Sequence, residues 1–149
     1  MKRRFFIAIL AMGFSGLVAE ILVLRELLIV FSGNELSIGI ILANWLILEA
    51  IGSFFVGRKA EKSRSALEAF VALTVLFSLS LPTAIFLTRI LRGVMGISIG
   101  ESIALLPIFC SSLLILLPIG ILHGALFTFG CRIHSVYSDQ AASSAGRVY

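Results

Sequence analysis

Four long apolar stretches take up most of this 149-residue chain and constrain its fold more than any other feature. They cover about residues 5–31, 36–56, 66–91 and 103–131. A helix needs roughly 20 mostly apolar residues to cross the hydrocarbon core of a bilayer, and each stretch reaches that length. The sequence therefore predicts an all-α fold, a polytopic transmembrane bundle of four spanning helices.

The composition agrees with a membrane environment, since 59% of the residues are hydrophobic and 13% are charged. A soluble domain carries roughly 25% charged residues and needs them to cover its surface. This balance excludes a nucleic-acid binder, a secreted disulfide scaffold and a disordered tail. We expect the lipid bilayer as the chain's environment and no nucleic acid among its partners. The basic start at Met1–Arg4 resembles that of a signal peptide, but the long first stretch and the three that follow it favour a spanning helix.

The connecting segments are too short to hold a second domain. We expect a transmembrane four-helix domain over residues 1–132, and a polar cytoplasmic tail, or a linker to a following helix, over residues 133–149. The short connection Ser32–Asn34 predicts a tight antiparallel hairpin of the first two helices. Three prolines lie inside the apolar stretches and are expected to kink their helices: Pro82, Pro107 and Pro118.

Basic residues between the apolar stretches predict the orientation of the chain. In a four-span topology one side of the membrane receives Lys2, Arg3, Arg4, Arg58, Lys59, Lys62, Arg64, Arg132 and Arg147, and the other side receives Arg25, Arg89 and Arg92. Cytoplasmic loops carry the excess of Lys and Arg. The sequence therefore predicts a multi-pass protein of the cell membrane with both termini in the cytoplasm.

Four polar residues fall at bilayer depth, where an ionisable group costs at least ~2.5–3.5 kcal/mol and marks a candidate functional site. Glu20 and Asn44 lie about 22 and 18 Å from the cytoplasmic face, and Glu49 and His123 about 10 and 12 Å from it. Matching depths give two hypotheses: a Glu20–Asn44 hydrogen bond, and a Glu49–His123 pair or proton-sharing site. Alternatively, each buried carboxyl is protonated and bonded to a backbone carbonyl.

Small residues form stripes at helical spacing. They are Gly13 and Gly16 on the first helix, Ser53 and Gly57 on the second, and Gly120 and Gly124 on the fourth. Such stripes let helix backbones approach closely in lipid. Ordinary helix packing is the favoured interpretation, and moving contacts in a transporter are the alternative.

The sequence contains no pattern typical of soluble catalysis. It has no glycine-rich phosphate loop, no nucleophile elbow and no cluster of metal ligands. We therefore expect no catalytic residue, no metal and no cofactor on this chain. Cys110 and Cys131 lie about 30 Å apart on one predicted helix, which excludes a disulfide between them and favours packing roles.

Several short motifs resemble those of a known membrane family. The first helix carries Gly13, Gly16, Glu20 and Arg25, and the second ends in Gly52, Ser53, Gly57 and Arg58. The segments Gly120–Arg132 and Ala145–Tyr149 extend the likeness, although Thr128 or Phe129 stands where the family usually has a proline. Together they resemble the membrane-embedded spermidine/spermine synthase-like proteins, in which a transporter-like transmembrane region precedes a soluble aminopropyltransferase-type domain.

The resemblance implies a membrane domain that anchors or feeds such a cytoplasmic domain. Residues for decarboxylated S-adenosylmethionine and polyamine would belong to that domain, so any aminopropyltransferase activity would lie in a C-terminal domain outside this chain. Two alternatives stay open: half of a transporter or channel for a cationic amine or protons, and an accessory subunit of a larger membrane complex. In each case we expect further transmembrane helices or a partner membrane subunit.

Overall fold

The computed structural model describes the backbone of residues 2–33, 35–62, 65–96 and 103–138, and the side chains of residues 6–33, 35–56, 65–96 and 103–134. Over these residues the chain forms four helices and no strand. The helices are α1 (Lys2–Phe31), α2 (Glu35–Lys62), α3 (Ala66–Val94) and α4 (Leu105–Ser138).

Each helix is long and apolar enough to cross a membrane. The candidate spans are Phe6–Phe31, Glu35–Val56, Ala66–Val94 and Leu105–His134. Large apolar side chains also cover the outer faces of the bundle, among them Phe86 and Leu114. A helix that is apolar all round is typical of a membrane span, since its side chains face lipid. The helical form also satisfies the backbone hydrogen bonds within the span, for which lipid offers no partner. The prediction of an all-α bundle with four spanning helices is confirmed.

The hydroxyl groups of α3 show how polar side chains are accommodated in such a span. Thr74, Ser78, Thr83 and Thr88 each donate a hydrogen bond to the carbonyl oxygen four residues earlier, at 2.8–2.9 Å. Each hydroxyl is therefore satisfied within its own helix, as hydrocarbon surroundings require.

The fourth helix holds the bundle together. It packs along α2 over the most extensive interface in the described part of the chain, and it also packs against α3. α1 lies mainly against α3 and touches α2 and α4 much less. The fully buried core includes Leu27, Ile41, Leu116, Ile119 and Leu126. The order around the bundle is thus α2–α4–α3–α1, and among helices adjacent in this order α1 and α2 have the loosest contact.

Three glycines allow the close approach of α2 and α4. A Cβ atom added at Gly124 would overlap the carbonyl oxygen of Glu49, and one at Gly52 would overlap that of Ile121. A Cβ at Gly120 would lie 2.8 Å from the Cβ of Leu48. The two helices therefore meet backbone to backbone, as small residues permit in lipid.

α1 and α2 are joined by a tight turn. α1 ends at Phe31 and α2 begins at Glu35. Ser32 has a positive φ of 52°, and the Gly33 N–H donates to the Leu28 carbonyl at 2.9 Å, which closes the C-terminus of α1. Near this same end of α1, Arg89 of α3 donates two hydrogen bonds to the carboxylate of Glu26, at 2.9 and 3.0 Å.

α4 continues to Ser138, so residues 133–138 of the segment expected to be a polar tail or a linker are helical, and Ile133 is buried in the core. Pro107 lies in the first turn of α4, where a missing N–H breaks no intrahelical bond, so it does not kink the interior. Residues 139–149 lie outside the described residues.

Candidate functional site

A groove of about 820 Å³ lies between α1, α2 and α4. It occupies the half of the bundle that contains the start of α1 and the end of α2. Apolar side chains form its walls, including Phe14 and Leu17 of α1, Leu46 of α2 and Phe127 of α4. Its polar side chains are few and come from three helices: Glu20, Glu49, Ser53 and His123.

Glu49 and His123 are brought together in this groove. The Nδ1 atom of His123 on α4 lies in hydrogen-bond contact with Oε1 of Glu49 on α2. Both side chains are largely shielded, with 18% and 24% of their surfaces exposed. The structure therefore contains the contact expected from their matching depths. The contact joins an imidazole and a carboxyl group, two side-chain types that commonly act in proton transfer.

The imidazole of His123 is fixed from several sides. The ring of Phe77 on α3 lies with its centroid 5.4 Å away, and the ring of Trp45 lies 6.1 Å away. Gly16 of α1 faces the remaining edge, and a Cβ atom there would overlap Nε2. That Nε2 is buried and has no hydrogen-bond partner among the described residues. All four helices thus contribute to the position of one side chain.

Glu20 is the third ionisable group of the groove. It lies one helical turn after Gly16 on α1 and is partly buried. It interacts electrostatically with both members of the pair, repelled by the Glu49 carboxylate and attracted by the imidazolium form of His123. Two acids and one base from three helices therefore share one low-dielectric region, in which their charges depend on one another.

Asn44 belongs to a different place in the bundle. Its side-chain amide donates to the Phe109 carbonyl at 3.0 Å and to the Ser112 hydroxyl at 2.9 Å. Both amide hydrogens are used in these bonds to α4, and the side chain is fully buried. The expected Glu20–Asn44 hydrogen bond is therefore wrong, because Asn44 faces α4 and not α1. Its role here is to join α2 to α4.

Some of the small residues lie at close contacts between helices, and others line the groove. Gly16, Gly120 and Gly124 lie at close helix contacts, whereas a Cβ atom at Gly13 would meet no atom within 4 Å, so the expected packing contact at Gly13 is wrong. Gly13 instead lines the open groove. The Ser53 hydroxyl lies 3.0 Å from that of Thr128 and links α2 to α4. The packing of Gly57 lies outside the described residues.

Sequence reasoning missed three residues: Trp45 and Phe77 contact His123 in the site, and Ser112 bonds Asn44 outside it. Trp45 lies one turn before Glu49 on α2, and this i, i+4 spacing was a usable signal. Ser112 and Phe77 gave no such signal, because their partners come from helices far away in the sequence. Their roles follow only from how the helices are rotated against one another.

The chemistry available in the groove is cation binding and proton exchange. No Lys or Arg side chain is among its lining residues in the described part of the chain. Nor do any three His, Cys, Asp or Glu side chains of the described residues come close enough together to hold a metal ion. Comparisons of the chain with protein-family models, with curated proteins and with solved structures each give no match.

Proposed function

We propose that this chain is a membrane transport domain that takes up a positively charged amine at Glu20 and Glu49. The observation that carries the proposal is the excess of acid over base in the groove. His123 can balance one carboxylate, and the second has no cationic side chain beside it among the lining residues that the structure describes. A carboxylate is costly at this depth unless it is paired, and a bound cation supplies the partner.

The geometry provides what such a site needs. Apolar side chains form most of the groove's walls, so the attraction between an ammonium group and a carboxylate beside them is stronger than in bulk water. The Glu49–His123 contact gives the site a proton to release or take up as the cation arrives or leaves. The transported species in this proposal is therefore a cationic amine, exchanged against protons.

The proposal includes an orientation. The excess of basic residues at the start of α1 and at the end of α2 supports a cytoplasmic location of these ends, by the rule that cytoplasmic loops are rich in Lys and Arg. The groove then lies in the cytoplasmic half of the cell membrane. Tags fused to both termini should become accessible to an impermeant protease only after the cells are permeabilised, and digestion of either tag in intact cells contradicts this orientation.

Transport can be tested in vesicles that contain the purified chain. With a pH gradient imposed, a labelled quaternary ammonium compound, which has no neutral form that crosses lipid unaided, should accumulate, and Glu20→Gln and Glu49→Gln should each abolish accumulation. Glu68→Gln is the matched control, because Glu68 is an exposed carboxyl at the start of α3 and outside the groove. Equal accumulation in all three variants would refute the proposal.

A second candidate function is the membrane anchor implied by the resemblance to spermidine synthase-like proteins. One observation favours it: the motif residues Gly16, Glu20, Gly52 and Ser53 all lie at the groove or at the α2–α4 contact beside it. In this role the groove delivers an amine to a cytoplasmic aminopropyltransferase-type domain, or the chain serves as an accessory subunit in a complex with further transmembrane helices. Purification in mild detergent distinguishes the two, because an anchor or subunit co-purifies with a second protein and loses stability without it.

A further inference from the structure

We infer that the groove selects an amphiphilic amine with a single cationic head and an apolar body, and not a linear polyamine; this inference rests on the proposed function. The ionisable groups lie at the level of Gly16–Glu20 on α1, since His123 contacts Gly16 and pairs with Glu49. From Gly16 toward the start of α1, the α1 residues that line the groove are apolar or glycine, over about 10 Å between Gly16 and Ile9.

The residues that α2 and α4 contribute to the groove are likewise ionisable at one end and uncharged at the other. Towards the same end, α4 contributes Phe127 and α2 contributes Ser53. The Ser53 hydroxyl is engaged with Thr128 and is not a substitute for an acid. The groove therefore has one polar end and one apolar end, and a ligand that fills it needs the same two parts.

A linear polyamine does not match this arrangement. Its ammonium groups are distributed along its length, so a molecule anchored at Glu20 and Glu49 places the remaining charges against the apolar wall. Those charges would lose water without gaining a partner, which opposes binding. An alkylamine places only methylene groups there and gains from their burial.

Gly13 gives a way to test the apolar end alone. It lines the groove, and a Cβ atom there would meet nothing within 4 Å, so a larger side chain can project into the groove without disturbing the backbone. Gly13→Leu therefore obstructs the space for the apolar body and leaves both carboxyls in place. Gly39→Leu is the matched control, because a Cβ atom at Gly39 of α2 also meets nothing within 4 Å and Gly39 is not among the residues that line the groove.

The experiment measures binding of radiolabelled tetraphenylphosphonium to the purified chain in an uncharged detergent, with unlabelled competitors. Octylamine should displace the probe at concentrations at least about tenfold lower than either octanol or spermidine, because only octylamine has both the charge and the apolar body. Gly13→Leu should weaken displacement by octylamine about tenfold, and Gly39→Leu should leave it unchanged.

The outcomes separate this inference from the proposed function. If spermidine displaces the probe as well as octylamine does, and Glu20→Gln abolishes binding of both, the site binds polyamines and the inference is overturned while the proposed function stands. If octanol competes as well as octylamine, or if no probe binds to the unmodified chain, the groove is not a cation site and both fail. Unchanged octylamine binding in Gly13→Leu also overturns the inference.

Discussion

The position of His123 depends on the absence of a side chain at Gly16. The imidazole of His123 occupies the space into which a Cβ atom at residue 16 would project, and it contacts Glu49 on its other side. It cannot move away from α1 without disturbing that contact or the rings of Phe77 and Trp45. The glycine is thus part of the site even though it has no chemistry of its own.

We therefore expect Gly16→Ala to destabilise the protein by about 1–3 kcal/mol, the usual cost of forcing extra atoms into a packed interior. Gly13→Ala on the same helix should be neutral, because its Cβ has open space. Thermal unfolding in detergent, followed by the fluorescence of the single tryptophan, Trp45, measures both variants. Equal melting temperatures for the two variants would show that His123 has room to move.

The hydrogen bond between Asn44 and Ser112 is a second interaction of single residues that joins two helices, α2 and α4. Membrane-buried hydrogen bonds between helices contribute about 0.6–2 kcal/mol. A double-mutant cycle with Asn44→Ala and Ser112→Ala should give a coupling energy in that range, since the bond of Ser112 to its own helix cancels in the cycle. Unfolding in sodium dodecyl sulfate measures it, and a coupling near zero contradicts the bond.

At the scale of helices, α2 and α4 form the closest-packed pair and α1 is the most loosely attached. Gly52→Ala and Gly124→Ala should each destabilise the protein by more than 2 kcal/mol, because the new Cβ meets backbone carbonyls that cannot move aside. Gly39→Ala is the control: it lies on α2 in open space and should be neutral or stabilising by up to about 1 kcal/mol. Thermal unfolding in detergent measures the stability of all three variants. An unchanged melting temperature in Gly124→Ala would contradict the backbone contact between α2 and α4.

Helix α2 shows how much of the site the sequence predicts. Counting residues along each span gives the depth of a side chain in the membrane, and by depth alone Glu49 pairs with His123 and Asn44 pairs with Glu20. Depth does not say which way a residue faces. Asn44 and Glu49 are five positions apart, or about 140° around the helix, so they cannot both face the groove. The helix rotations that decide between them come from packing between distant segments, which the sequence pattern does not show.

At the scale of the whole molecule, the weak contact between α1 and α2 leaves a groove that water can enter. Leu17 and Leu79 are both near the middle of their spans, and 60% and 61% of their surfaces are exposed. Leu17 faces the groove with its three ionisable groups, whereas Leu79 on α3 faces outward from the bundle. Equal exposure in the isolated bundle therefore corresponds to different surroundings in a membrane.

This difference predicts different reactivity of cysteines at the two positions. A thiol reacts with maleimide as the thiolate, which needs a polar environment to form. In a background of Cys110→Ala and Cys131→Ala, Leu17→Cys in lipid vesicles should react faster than Leu79→Cys, and tetraphenylphosphonium should slow only Leu17→Cys. In detergent-free denaturant both should react alike, which controls for intrinsic reactivity. If the two positions react equally slowly in vesicles, the groove is filled by lipid and contains no water, and a polar path for an amine through this part of the bundle is excluded.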